Sequence, residues 1–455
     1  MRRHSLIARL GPSDIANVRV LERASLATEI RFVDGYHRLG FGLGQMVDGL
    51  VARGAVPTET AADLAVLAAT VTAADTRISR AVDAQDSWTR EIDLYIPVHD
   101  PARWTAGAGL LERTLKFLTG DNWRLTFRAR HRDYPQLVTG TSRTRAAFTS
   151  VCLFSGGLDS FIGAIDLLAA ERSPLFVSHY WENSTSSQPL IANRIAAAYG
   201  PMNPRHVRAR VGFDANDFPH EMDSESSTRG RSFLFFALAA LAASGLSGRP
   251  VIYVPENGLI SLNIPLDVLR VGAWSTRTTH PFYMARWQEI LAALGIPATL
   301  ENPYRFATKG EMLAQCRNAA LAQRHAAETI SCSSIAKARW RGQRGAGLQH
   351  CGFCVPCLIR RASITSAFGS DPTPYTLAEL TARPLDAARA EGENVRAFQM
   401  MARRLTQRST LARILVHKSG PLSDYPAADI AAYADVFARG IAEVHRISGP
   451  AVVRA

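Results

Sequence analysis

No stretch of this sequence is apolar for long enough to cross a membrane. The longest uninterrupted apolar segment covers residues 233–243, whereas a membrane-spanning helix needs about 20 such residues. We therefore predict that this segment forms a buried helix and that the protein has no membrane partner. The start of the chain also lacks the pattern of a secretory leader, which predicts a cytoplasmic protein. Repeats and low-complexity tracts are absent too, which excludes solenoid and fibrous architectures.

Acidic residues are in short supply, with 40 Asp and Glu against 52 Lys and Arg, for a formal charge of +12. Such an excess is compatible with a nucleic-acid partner. The charge is spread along the chain, however, and we interpret the densest cluster as a solvated basic loop. That cluster surrounds Trp340 and consists of Lys337, Arg339, Arg341 and Arg344. Nucleic acid is therefore not the favoured partner.

Cysteine is scarce as well, because only six occur in 455 residues, and a disulfide framework is not expected in a cytosolic chain of this size. Three of the six nevertheless fall within seven positions, and a fourth lies nineteen positions earlier. The spacing predicts a tetrahedral site with a structural Zn²⁺, since four thiolates leave no open position. An iron–sulfur cluster is the alternative. The predicted metal ligands are Cys332, Cys351, Cys354 and Cys357.

A short polar segment follows the apolar residues 151–154 and precedes an amphipathic helix pattern. Two adjacent glycines allow a tight turn where backbone N–H groups converge, and the helix start adds free donors and a positive dipole end. Asp159 is a candidate ligand of the Mg²⁺ that accompanies a nucleotide. The segment lacks the lysine of a Walker loop. It predicts a site for the phosphates of a nucleotide, formed by Ser155, Gly156, Gly157, Leu158, Asp159 and Ser160.

Apolar stretches at 151–154, 175–178, 207–211 and 251–254 alternate with helical patterns. This alternation predicts an α/β fold with a doubly wound parallel sheet. Ligands of such sheets bind at the carboxyl ends of the strands. The prediction places Ser178 and His179, at the end of the second stretch, near the nucleotide.

Three domains are predicted. Residues 1–146 alternate strand-like segments at 92–98 and 123–128 with a helical pattern at 110–118, which predicts an N-terminal α+β accessory domain. Pro97 predicts that the first of these strands lies at a sheet edge or ends there. Residues 147–370 contain the doubly wound sheet, the loop and the cysteines. Pro372 and Pro374 mark a linker at the start of residues 371–455, which are predicted to form a helical C-terminal extension.

The loop resembles, at all six positions, the PP-loop of the N-type ATP pyrophosphatases, which implies an adenine nucleotide α-hydrolase-like fold. Together with the late cysteines, it makes the chain similar to the QueC branch of that family, the 7-cyano-7-deazaguanine synthases. Three further segments carry the resemblance, which covers about residues 148–367. They are residues 229–234 (Arg-Gly-Arg-Ser-Phe-Leu), 308–312 (Thr-Lys-Gly-Glu-Met) and 358–361 (Leu-Ile-Arg-Arg).

The resemblance implies an AMP-forming, ATP-dependent carbon–nitrogen ligase. Such an enzyme adenylates a carboxylate, here that of a 7-carboxy-7-deazaguanine-like molecule, releases pyrophosphate and forms an amide or a nitrile. The implied catalytic residues are Asp159, Arg231 and Lys309. With its extra length, the chain is most similar to the QueC-like components of bacterial Qat antiphage defence systems, which implies a protein partner in a defence complex.

The segment that helps to form the deazapurine pocket in QueC enzymes differs here. Residues 256–265 and 275–281 are as polar as a small-molecule pocket requires, but they are not the residues of the family. Three alternatives therefore stay open. The activated deazapurine is conjugated to a partner protein, or the chain is a PP-loop tRNA thiolase with an iron–sulfur cluster, or it is a non-catalytic nucleotide-sensing defence subunit.

Overall fold

The computed structural model describes residues 2–33, 38–180, 187–202, 205–218, 223–225, 227, 229–266, 277–333 and 349–454. The basic cluster around Trp340, and Ser275 and Thr276 of the predicted pocket segment, lie outside these residues. The strands are β1 (Arg3–Arg9), β2 (Leu26–Arg31), β3 (Glu91–Val98), β4 (Asn122–Ala129), β5 (Ser150–Leu153), β6 (Pro174–His179), β7 (His206–Ala209), β8 (Val251–Tyr253), β9 (Thr299–Glu301), β10 (Leu385–Asp386) and β11 (Val453–Arg454).

The helices alternate with these strands over the first two thirds of the chain and dominate the last third. They are α1 (Leu43–Val51), α2 (Glu59–Arg77), α3 (Arg80–Asp83), α4 (Pro101–Thr119), α5 (Leu158–Ala169), α6 (Ser187–Tyr199), α7 (Arg231–Ser244), α8 (Gly258–Leu262), α9 (Pro281–Ala293), α10 (Lys309–Ala314), α11 (Ala319–His325), α12 (Val355–Phe368), α13 (Ala390–Gln407), α14 (Leu411–Leu415) and α15 (Ala427–Ser448).

The N-terminal region forms a parallel sheet, which corrects the prediction of an α+β domain. Its four strands lie in the order β2-β1-β3-β4, and every neighbouring pair runs parallel. Parallel neighbours need crossover connections, and α2 and α4 lie in the connections that lead into β3 and β4. The region is therefore α/β. Period-two patterning identified β3 and β4, but such a pattern carries no information on strand direction.

Strand β3 is an interior strand, so the first alternative predicted from Pro97, an edge position, is wrong, whereas the second holds to within one residue because the strand ends at Val98. Strand β1 pairs with β3 only as far as Tyr95, whereas β4 continues beside it to Val98. Pro97 therefore has a paired strand on one side only. This is the local situation of an edge, in which a strand tolerates proline.

The central sheet has the order β7-β6-β5-β8-β9, again with all neighbours parallel. It contains the four strands predicted from the sequence and one more, β9, whose three residues are too short to stand out as a pattern. The chain leaves β5 towards β6 on one side and later returns to β8 on the other. The sheet therefore has a switch point between β5 and β8, where loops diverge and open a crevice. The arrangement is compatible with a Rossmann-like doubly wound fold.

The apolar run at 233–243 forms a buried helix, as predicted. It belongs to α7, which packs against α2 on one side and against β5, β6 and β8 on the other. A helix that is apolar on all faces needs such complete burial. Helix α7 thereby joins the N-terminal sheet and the central sheet in one continuous apolar core.

The C-terminal region is helical, as predicted. Helices α13, α14 and α15 form a second apolar core together with α8 and α12. A short parallel pair, β10 with β11, was not predicted. The helices of the described part of the chain are all too short or too polar to cross a membrane. The domain boundaries at residues 146 and 370 stay predictions.

Candidate active site and metal centre

The predicted phosphate loop joins the carboxyl end of β5 to the first turn of α5. Gly156 has a φ of 78°, and a Cβ at this position would lie 2.9 Å from the backbone nitrogen of Gln188. Only glycine fits there. Ser155 Oγ accepts from the N–H of Gly157 at 3.2 Å and donates to Ser160 Oγ at 3.1 Å. Both serine hydroxyls thus brace the loop in this conformation.

No described side chain caps the N-terminus of α5. The N–H groups of Leu158, Asp159 and Ser160 have no intrahelical acceptor, because the first turn of any helix lacks one. The buried side chain of Leu158 anchors this turn to the core. Free N–H groups at a helix start, preceded by a glycine turn, suit a phosphate group.

Asp159 and Lys309, two of the three predicted catalytic residues, form a buried ion pair. Lys309 Nζ lies 3.0 Å from Asp159 Oδ1, and both side chains are less than a tenth exposed. Asn257 donates from Nδ2 and from its backbone N–H to Asp159 Oδ2, at 2.8 and 3.3 Å. The topology explains this meeting. Asp159 follows β5 and Asn257 follows β8, and these two strands flank the switch point of the sheet.

Glu256 is a site residue that the sequence indicated only as part of a polar pocket segment. It is hydrogen-bonded to Asp159, and burial, followed by the charge of Asp159, raises the pKa of Glu256 well above its usual range. Burial opposes ionisation of Asp159, but the Lys309 ammonium and the hydrogen bonds from Glu256 and Asn257 hold the pKa of Asp159 below its usual value. These shifts favour the protonated form of Glu256 and the ionised form of Asp159.

This donor set fits Mg²⁺. Hard divalent cations take carboxylate oxygens as ligands. If Mg²⁺ replaced the proton between Asp159 and Glu256, the two carboxylates would be adjacent ligands of the ion. Both residues stand next to the loop that is built for phosphate. The sequence signal for Glu256 was its position shortly after the apolar stretch 251–254, at the carboxyl end of a strand.

Arg231, the third predicted catalytic residue, borders a cavity of about 330 Å³ together with His179. It is the first residue of α7, and its side chain is exposed. Desolvation by the surrounding protein nevertheless lowers the pKa of Arg231, as expected for a group that faces a cavity. The N-terminal region also contributes to the lining of this cavity, with Thr72, Asp75, Thr76 and Arg77.

His179 offers a hydrogen-bond acceptor at this cavity. Its Nε2 lies 2.8 Å from the carbonyl oxygen of Val211, while its buried Nδ1 has no partner among the described residues. Burial, followed by the charge of Arg231, lowers the pKa of His179 to about 4. The neutral ring donates from Nε2 to the carbonyl, which leaves Nδ1 as an unprotonated acceptor.

The structure does not bring the Ser178 side chain to the cavity that Arg231 and His179 line. Its buried hydroxyl donates to the carbonyl oxygen of Phe154 and lies 2.7 Å from His206 Nε2. Successive side chains of a strand point to opposite faces, so Ser178 and His179 diverge. Gln188 links His179 with the phosphate loop, because its Nε2 donates to the carbonyl oxygen of His179 at 3.0 Å while its backbone packs on Gly156.

The four predicted cysteines come together, and their sulfur atoms all lie within 4.8 Å of one another. Cys332 Sγ is 3.9 Å from Cys354 Sγ, and Cys351 Sγ is 3.8 Å from Cys357 Sγ. A tetrahedral zinc ion with Zn–S bonds of about 2.3 Å requires sulfur–sulfur separations of about 3.8 Å. The group can therefore hold a single ion such as Zn²⁺. An iron–sulfur cluster places several atoms between the thiolates and holds them further apart.

The chain matches no model in a scan of protein families, and a search of curated proteins finds no relative.

Proposed function

We propose that this protein is an ATP-dependent, AMP-forming ligase of the QueC-like PP-loop type, which adenylates a carboxylate. The observation that carries the proposal is the buried ion pair between Asp159, in the first turn after the glycine loop, and Lys309, at the start of α10. A lysine fixed at this place puts a positive charge beside the site that the loop offers to phosphate. The acidic pair of Asp159 and Glu256 supplies the oxygen ligands that the Mg²⁺ of a nucleotide needs.

In the proposed reaction, a carboxylate oxygen of the substrate forms a bond to the α-phosphorus of ATP. The bond from that phosphorus to the bridging oxygen breaks, and pyrophosphate leaves with the electron pair. The N–H groups of α5 and the Lys309 ammonium stabilise the charge that develops on the phosphate oxygens. Mg²⁺, when bound, neutralises further charge on the leaving group. An amine then opens the acyl adenylate, forms a carbon–nitrogen bond and releases AMP.

The proposed substrate is a 7-deazaguanine carboxylate, and the cavity beside Arg231 is its proposed site. A volume of about 330 Å³ lies at the lower end of the range for small-molecule pockets. Arg231 presents a cation and His179 Nδ1 an acceptor, which together suit a heteroaromatic acid that carries an N–H group. The proposed amine is ammonia, with an amide or nitrile product, or the amine of a partner protein in antiphage defence. The zinc ion is proposed to be structural.

The test is incubation of the protein with Mg-ATP and 7-carboxy-7-deazaguanine, with and without ammonia and candidate partner proteins. Pyrophosphate release would be measured together with the masses of small molecules and proteins. We expect release by the wild type and by the surface variant Lys418→Ala, and none by Lys309→Ala. A product mass of 7-cyano-7-deazaguanine supports the nitrile, whereas a heavier partner protein supports conjugation. Equal release by Lys309→Ala and Lys418→Ala would overturn the proposed site.

A further inference from the structure

Each of the two candidate cations is the first residue of a helix. At each of these helix starts, a backbone N–H group donates a hydrogen bond to a buried carboxylate from a flanking region. Arg231 starts α7, where the N–H of Gly230 donates to Oδ2 of Asp75 at 2.6 Å. Asp75 belongs to α2 of the N-terminal region. Lys309 starts α10, and Glu443, which holds this helix start, belongs to α15 of the C-terminal region.

Asp75 is fixed by a buried ionic network. Its Oδ1 lies 2.9 Å from Arg90 Nη2, and the same guanidinium nitrogen lies 2.7 Å from Asp121 Oδ2. Arg80 Nη2 also contacts this oxygen of Asp121, at 2.6 Å. All four side chains are almost completely buried. Because charge-assisted hydrogen bonds at such spacings have strict geometry, Asp75 is a rigid anchor for the turn that carries Arg231.

Glu443 holds the turn that carries Lys309 with both carboxylate oxygens. Thr308 Oγ1 donates to Oε2 at 2.7 Å, and the N–H of Gly310 donates to Oε1 at 3.2 Å. A Cβ on Gly310 would lie 2.4 Å from Oε2, so glycine is what admits the carboxylate. Burial raises the pKa of Glu443, whereas its hydrogen bonds with Thr308 and Gly310 favour the charged form.

A second contact from α15 secures the same turn. Arg439 Nε lies 2.9 Å from Glu311 Oε1, and its Nη2 donates to the carbonyl oxygen of Phe306 at 2.8 Å. Glu311 and Thr308 also form a reciprocal capping box at the start of α10. Glu443 and Arg439 lie one turn apart on α15, and together they contact residues on both sides of Lys309.

We propose that Asp75 and Glu443 are positioning residues for Arg231 and Lys309, so that both flanking regions are integral parts of the active site. The catalytic consequence rests on the proposed function; the positioning itself does not. Displacement of a reacting or stabilising group by about 1 Å, caused by a change at a remote residue, can lower a rate by about a hundredfold. A carboxylate that only stabilises the fold would lower stability and leave the rate per folded molecule unchanged.

The test compares graded variants with matched controls. Glu443→Gln loses one of two hydrogen-bond acceptors and Glu443→Ala loses both, whereas His445→Gln changes an exposed side chain of the same helix. On α2, Asp75→Asn is matched by Asp63→Asn, because Asp63 is equally buried but pairs with Arg130. We expect kcat for pyrophosphate release to fall about tenfold to a hundredfold, with a larger fall in Glu443→Ala than in Glu443→Gln. A fall in the same range is expected for Asp75→Asn. KM for ATP should change less, and both controls should keep the wild-type kcat.

A second readout separates this inference from the proposed function. Lys309 is buried and paired, so it should react slowly with acetic anhydride, as followed by mass spectrometry in competition with exposed lysines. We expect about tenfold faster labelling of Lys309 in folded Glu443→Gln, but not in His445→Gln. If the wild type releases no pyrophosphate and this labelling pattern is found, positioning stands and the proposed function fails. Equal labelling of Lys309 in Glu443→Gln and His445→Gln would overturn its positioning, whatever the activity.

Discussion

The carboxylate of Asp159 has a lysine at one oxygen and an asparagine at the other, so its charge is compensated before any ligand binds. Lys309 Nζ at 3.0 Å and Asn257 Nδ2 at 2.8 Å are its partners. In a buried site, the removal of one member of such a pair leaves the other charge uncompensated. The loss of folding free energy on removing one member is then larger than the net stabilisation that the intact pair contributes. Substitutions at Asp159 should therefore affect both stability and chemistry.

We predict that Asp159→Asn abolishes pyrophosphate release and lowers the free energy of unfolding. The volume is kept, but Lys309 is left without its countercharge, which costs about 3–5 kcal/mol for a buried pair. The rate should fall at least about a hundredfold, as it does when one donor or metal ligand is lost. Urea unfolding and a pyrophosphate assay measure the two effects. Asp166→Asn, on the same helix but hydrogen-bonded to Tyr304, should leave the rate unchanged.

A different outcome is predicted for Glu256→Gln. Burial and the charge of Asp159 raise the pKa of Glu256, which favours its protonated form, and the amide of glutamine reproduces the donor of a protonated carboxyl. We expect little change in melting temperature. The Mg²⁺ concentration needed for half-maximal pyrophosphate release should rise at least about tenfold, because an anionic ligand is lost. An unchanged Mg²⁺ requirement would contradict the assignment of Glu256 as a ligand.

At the scale of elements, the phosphate loop is shaped by close backbone contacts as well as by its own residue types. Gly156 adopts a positive φ and lies against the backbone of Gln188 in α6. The helix start after it supplies N–H donors only if the turn keeps this path. The turn that carries Cys351, Cys354 and Cys357 also needs a glycine with a positive φ, because Gly352, between the first two cysteines, has a φ of 89°.

We predict that Gly156→Ala weakens ATP binding and destabilises the protein. The left-handed backbone costs about 1–2 kcal/mol for a residue with a side chain, and the new Cβ would also press on Gln188. Gly200→Ala is the control, because Gly200 has a φ of 86° but open space around it. Both variants should lose stability, and only Gly156→Ala should lose affinity in calorimetric titration with Mg-ATP. Equal ATP affinities would show that the close approach does not shape the site.

We further predict that Cys354→Ser lowers the metal content and the melting temperature. Metal binding to four thiolates is coupled to folding, and a serine hydroxyl is a poor replacement for a soft thiolate. Elemental analysis should give one zinc per wild-type chain. Cys316→Ser, at a buried thiol outside the group, should keep that zinc. Iron with acid-labile sulfide in the wild type would replace the zinc assignment with the cluster alternative.

At the scale of the whole molecule, helices from both flanking regions pack on helices of the central region. Helix α7 lies between α2 and the strands, and α15 packs on α8 and α12. Several histidines are buried neutral in this assembly. Burial lowers the pKa of His179 to about 4 and the pKa values of His206 and His280 to about 3. Each of these rings must gain a charge when the protein unfolds in acid.

We predict that stability falls as the pH decreases from about 6.5 towards 4. The pKa values of these histidines in the folded protein lie below the usual 6.5, so the unfolded state binds more protons and stability is lost on acidification. Asp63, Glu256 and Glu443 act with the opposite sign, because burial raises their pKa values. Burial also lowers the pKa of His350 to about 3, and the four histidines outweigh these three carboxyls. Urea midpoints between pH 7 and pH 4.5 measure the slope, which His206→Gln should make shallower.

The sequence by itself determined the parts of this protein that depend on local chemistry. The glycine loop, the four strands from 151 to 254, the buried helix and the cysteine spacing were all predictable, because period, turn residues and ligand spacing are properties of short segments. The sequence also indicated Asp159 and Lys309 separately. It did not determine strand direction in the N-terminal region, because period-two patterns are the same in parallel and antiparallel strands.

Only the tertiary structure decided which distant residues meet. The placement of β5 beside β8 brought Glu256 and Asn257 to Asp159, although they lie about a hundred positions apart. The packing of α2 and α15 brought Asp75 and Glu443 to the starts of α7 and α10. The physical reason is that sheet order and helix docking result from burying apolar faces over the whole chain. No local pattern of residues specifies the partner of a buried carboxylate.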